Sequence, residues 1–127
     1  MPLSLDLDGR VALVTGGTRG VGLGITQALV DAGAVVVTCS RSAVDPAAGS
    51  AGHLECDVRD PESVEALVQR VVDEHGRLDV LVNNAGGAPY ALAAEASPRF
   101  HAKVVELNLL APLLVSQAAN AVMQQQD

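Results

Sequence analysis

The chain has 127 residues, 49% of them apolar, with a formal net charge of −7 and its few cations scattered. That length allows one domain or less, and the acidity excludes nucleic acid and anionic membrane as natural partners. No window reads as long and apolar enough to span a bilayer and no cationic leader opens the chain, so a cytoplasmic protein is expected.

Residues 1–8 read as a polar lead-in, with Asp8-Gly9 turning into a first strand over about 10–15. Val, Ala and Leu dominate the apolar residues, a makeup suited to parallel strands covered by helices on both faces. A helix starts near Gly20, carries Val21, Ile25, Ala28, Leu29 and Ala32 on one face, and stops at Gly33 as a left-handed cap. Strand two is read as Ala34 to Thr38, rich in valine, and the stretch from Ser42 to Ala51 as surface loop. A short strand three spans His53 to Cys56. Asp60-Pro61 then caps a helix with Val64, Leu67, Val68, Val71 and Val72 inward and its end near Gly76. Strand four is Asp79 to Asn83. Ser97-Pro98 starts a long last helix to about Met123, apolar nearly all round and so in need of cover on two sides.

Strands alternating with helices at this spacing predict right-handed βαβ units: an α/β, doubly wound parallel sheet occupying residues 1–127 as one domain, with helices on both faces. Cys39 and Cys56 end predicted strands without metal-ligand spacing; they are expected as buried reduced thiols, and no metal site is expected.

Four features carry chemistry. The first strand runs into Thr15-Gly16-Gly17-Thr18-Arg19-Gly20-Val21-Gly22, a glycine-rich turn opening a helix and hence a cradle for phosphate. Asp57-Val58 follows strand three, Asn83-Asn84-Ala85-Gly86 ends strand four, and Asn108 lies within the last helix. In this order they resemble the short-chain dehydrogenase/reductase family from residue 9 onward. The resemblance implies a Rossmann-type fold and hydride transfer between a nicotinamide cofactor and an alcohol or carbonyl substrate. It implies that Gly16, Thr18, Gly20, Gly22 and the Val21 amide line the pyrophosphate, and that Asp57 and Val58 hold the adenine. Asn84, Ala85 and Gly86 would lie along the ribose, and Asn108 would hold a water of the proton relay.

The cofactor is read from charge. An NAD site places an acid at the end of strand two, but here that end reads Cys39-Ser40-Arg41, with no carboxylate until Asp45. Arg41, and Arg19 from the turn, suit a 2′-phosphate, so NADP(H) is expected over NAD(H). The same strand end argues against a methyltransferase.

Pro112 has no N–H for the carbonyl of Asn108, which predicts a kink there. The family's Ser and its Tyr-x-x-x-Lys pair find no match. The only tyrosine, Tyr90, and the only lysine, Lys103, have the wrong separation and read as loop and helix surface. Strand five, which would carry the serine, is expected just where Gln124-Gln125-Gln126-Asp127 stands. The chain therefore reads as the cofactor-binding half of an oxidoreductase, inactive alone, with a non-catalytic NADP-binding regulator or sensor as the alternative. A homodimer or homotetramer through the helix 98–123 is expected.

Overall fold

Five apolar-to-threonine positions in a row leave strand β1 (Val11–Thr15) no face for water, and it lies at the heart of the sheet. The computed structural model describes residues 4–127; positions 1–3 of the expected lead-in lie outside the described residues. β1 pairs in parallel with β2 (Val35–Ser40) on one side and β4 (Val80–Val82) on the other, while β3 (Gly52–Glu55) joins β2 to give the order β3-β2-β1-β4.

Alternation along β1 builds two cores at once. Val11 and Leu13 face Val64, Leu67 and Val71 of α2 (Pro61–His75) and Val115 of α4 (Ala111–Met123). Ala12 and Val14 face Ile25, Leu29 and Val30 of α1 (Gly20–Asp31). The result is the doubly wound three-layer arrangement. Its ends are set as the sequence reads: Asp60 accepts a hydrogen bond from the Glu62 amide at 3.1 Å, and Gly33 and Gly76 adopt φ of +95° and +82°.

Several details differ. Strand two starts at Val35 and runs on to Ser40, because β3 pairs with its last residues. Val21 does not face the core: it is 77% exposed, and Ala28 is exposed too. The buried positions of α1 are Gly22 and Thr26. The helix begins so close to the turn before it that only a residue without a side chain fits the inner face of its first turn, and this rotates Val21 outward.

The last helix is continuous from Pro98 to Met123 but changes pitch. α3 (Pro98–Val105) leads into a π-helical turn (Glu106–Leu110) and then α4. The Ala111 amide donates to the Glu106 carbonyl, five residues back, so the structure accommodates Pro112 by widening one turn. The same helix corrects the reading that no segment could cross a membrane: its 26 residues include a window of mean hydropathy 1.2 that meets the length and composition needed. That apolarity comes from Leu109, Leu110 and Leu113, which are exposed, together with Ala111, Val115 and Ala119, which are buried on the sheet side.

Candidate functional site

The parallel strands all end on one side, where β1 and β4 feed connections to opposite faces of the sheet. A crevice opens there, as it must at such a switch point. Its floor is the turn after β1. Gly16 has φ +63°, donates its N–H to the Cys39 carbonyl at 2.9 Å, and so bends the chain directly off the sheet. Its own carbonyl accepts from Asn84 Nδ2 at 3.0 Å. A side chain on Gly22 would strike the Gly16 carbonyl and Asn84 Nδ2, so this glycine permits the helix to seat on the turn. Gly20, at φ +57°, has open space where a side chain would stand. Thr26, buried in α1, donates to the Gly17 carbonyl at 2.8 Å and fixes the turn from beneath.

The mouth of α1 is prepared for an anion. Its first turn holds no acid, and Arg19 at the N-cap makes no side-chain cap bond. The first amides and the positive end of the helix dipole are left for whatever enters.

The opposite wall is tied in by Thr15, which the sequence reading places in the turn without giving it a role. Its hydroxyl accepts from the Asn84 and Ala85 amides at 3.0 and 2.9 Å, locking the end of β4 to the end of β1. A buried threonine ending an otherwise aliphatic strand was the available signal.

Along the β2–β3 side, Arg59 grips both carboxylate oxygens of Asp57 through Nε and Nη2 at 3.0 Å each. That pairing holds the Asp57 carboxyl below its ordinary range. The Asp57 amide donates to Ser63 Oγ at 3.2 Å, which ties the end of β3 to the first turn of α2. Among the described residues neither Arg19 nor Arg41 forms an ion pair.

These walls enclose a cleft of about 570 Å³. Gly16, Thr18, Arg19, Gly20, Val21, Gly22, Ser40, Arg41, Asp57, Val58, Asn84, Ala85 and Gly86 all line it. So do Cys39, Ser42, Val44, Cys56 and Leu107, which the motifs do not name. Val44 and Leu107 add apolar wall from a loop and the π turn, positions without a local sequence signal. Both thiols are free and buried. Their mutual hydrogen bond and burial push Cys39 up, while the hydrogen bond from Cys39 brings Cys56 down to about 7.

Asn108 is outside this lining. Its Oδ1 accepts from the Gly87 amide at 2.7 Å and its Nδ2 donates to the Gly87 and Val104 carbonyls at 2.9 Å. The side chain thus clamps the loop after β4. Tyr90 is 91% exposed in that loop and Lys103 is exposed on α3.

Residues 10–127 match the model of the short chain dehydrogenase family. L-fucose dehydrogenase of Bos taurus is 39% identical over 94% of this chain and 46% of its own length. The 3-oxoacyl-[acyl-carrier-protein] reductase FabG of Vibrio cholerae is 35% identical over 90% of this chain and 49% of its own. Among solved structures, the Pseudomonas aeruginosa RhlG/NADP active-site complex superposes with a TM-score of 0.87 at 32% identity, covering 98% of this chain and 52% of that one. The chain spans about half the length of the relatives it matches.

Proposed function

Because the chain belongs to the short-chain dehydrogenases, an oxidoreductase family, we propose that it forms the NADP(H)-binding half of an enzyme that moves hydride between nicotinamide and an alcohol or carbonyl carbon. The observation that carries this reading is a cleft with two arginines outside any ion pair among the described residues, and no free carboxylate. Arg19 and Arg41 line the cleft from two sides, and the one acid among its lining residues, Asp57, is already neutralised by Arg59. An extra phosphate meets attraction from both guanidinium groups and little repulsion. The NADP held by the solved relative agrees with this.

In this reading, the Gly20, Val21 and Gly22 amides at the mouth of α1 hold the diphosphate. Asp57 and the Val58 amide face the adenine, with both oxygens of Asp57 already fixed in place by Arg59. Asn84 through Gly86 form the ribose wall, kept rigid by Thr15. The bound nicotinamide supplies the site that gives or takes hydride. Asn108 holds the loop that borders that wall, and its main-chain carbonyl is the place for a relay water. The exposed apolar flank of the last helix is the surface through which the protein assembles as a homodimer or homotetramer.

Calorimetric titration tests the cofactor: NADPH is expected to bind at least about tenfold tighter than NADH. Tighter NADH binding overturns the selectivity, and no heat from either nucleotide overturns the site. A nicotinamide absorbance assay across simple ketones and secondary alcohols, on protein that includes a Tyr-x-x-x-Lys segment, tests the reaction class. A full-length protein that binds NADPH without turning over any of them favours the regulator instead.

A further inference from the structure

His53 projects from β3 beside β2, opposite Thr38, and both of its ring nitrogens are engaged. Nδ1 lies 2.8 Å from Thr38 Oγ1, and Nε2 lies 2.9 Å from Ser40 Oγ and 3.1 Å from the Ser42 carbonyl. A carbonyl only accepts, so the contact with Ser42 places the proton on Nε2. Nδ1 of the neutral ring is then an acceptor, and the buried Thr38 hydroxyl donates to it. The Ser40 hydroxyl gives its single proton to the same Ser42 carbonyl at 2.9 Å.

An anion beside Arg41 would make use of this arrangement. Ser40 and Ser42 line the cleft next to that arginine. If Ser40 turned its proton toward a phosphate without His53, the Ser42 carbonyl would lose its donor. With Nε2–H already directed at that carbonyl, the proton is released at little cost. We propose that His53 is a positioning residue for the 2′-phosphate of the cofactor: it holds Ser40 and Ser42 so that the Ser40 hydroxyl can donate to the phosphate beside Arg41. The inference rests on the NADP(H) reading above. It adds to that reading a residue that lies outside the family's motifs and outside the cleft lining.

Titration with adenosine 2′,5′-bisphosphate and with AMP isolates the effect, because the two differ only in the 2′-phosphate. His53→Leu is expected to weaken the bisphosphate about tenfold and to leave AMP within about twofold, and His53→Gln, which keeps a side-chain N–H donor, to recover part of the loss. In a Ser40→Ala background His53→Leu is expected to add nothing further, since the two act through one hydroxyl. Equal weakening of both ligands means a purely structural histidine and overturns the proposal, as does unchanged discrimination. Should His53→Leu not fold, judged by its circular dichroism, the comparison of His53→Gln with Ser40→Ala carries the same outcomes. Wild-type protein that binds the two ligands equally instead overturns the NADP(H) reading itself.

Discussion

Thr15 and the two cleft arginines carry opposite kinds of responsibility. Thr15 is 1% exposed and serves two amides of the opposite wall with one oxygen. Thr15→Val keeps the shape and removes the acceptor, leaving both N–H groups without it; a loss of about 1–3 kcal/mol in urea unfolding is expected, with weaker nucleotide binding. Arg19 and Arg41 support no part of the fold through ion pairs among the described residues, so their replacement should be silent in stability. Arg41→Ala and Arg19→Ala are each expected to raise the Kd for NADPH by about tenfold while leaving NADH nearly unchanged, as read by calorimetry. The arginines were legible in the sequence because their charge and their distance from the glycines are linear properties. Thr15 and His53 were not, since each matters through a neighbour on another strand.

At the scale of elements, the glycine turn, the capped α2 and the valine-rich strands arise from local chemistry and were legible in the chain. The rotation of α1 was not. Val21 and Ala28 fit an amphipathic pattern, but the contact of Gly22 with Gly16 decides the helix's facing, and periodicity contains no such contact. The π turn shows the same limit: Pro112 announces a broken hydrogen bond, but nothing local says that a widened turn takes its place. The pairing of β4 with β1 begins at Asp79, whose carboxylate accepts from the Val11 amide at 2.9 Å and is gripped by Arg77. Chiefly that grip lowers its pKa from 3.8 to about 2. A carboxyl depressed in the folded state adds stability above its unfolded pKa and loses it as the pH falls through the folded one. The contribution is about 1–2 kcal/mol after allowance for the partly exposed Arg77. Denaturation midpoints are therefore expected to fall between pH 4 and pH 2, and to fall less in Asp79→Asn.

For the whole molecule, the parallel sheet with helices on both faces was legible because alternating strands and helices admit few right-handed arrangements. The exposed apolar surface was legible as a last helix with little polar face. Leu109 and Leu113 are 58% and 61% exposed on the last helix, beside a sheet whose β4 edge has no further strand among the described residues. An apolar patch next to an open edge favours association. Sedimentation velocity is expected to show concentration-dependent assembly that Leu113→Glu reduces, with secondary structure unchanged. The 127-residue chain is also expected to bind NADPH without oxidising it when ketones are added, because Tyr90 and Lys103 do not have the Tyr-x-x-x-Lys spacing that the family resemblance implies.

β1 is hydrogen-bonded on both flanks and shielded above and below, whereas β4 is bonded on one flank only among the described residues. Backbone protons placed in heavy water should therefore be retained longest in Val11–Thr15 and surrendered early in Val80–Val82. The two banks of the crevice thus loosen on separate clocks: the glycine turn hangs from the last strand to let go, and the Asn84–Gly86 wall from one of the first. A bound nucleotide that bridges them would slow the faster clock, and deuterium uptake in β4 would record its arrival.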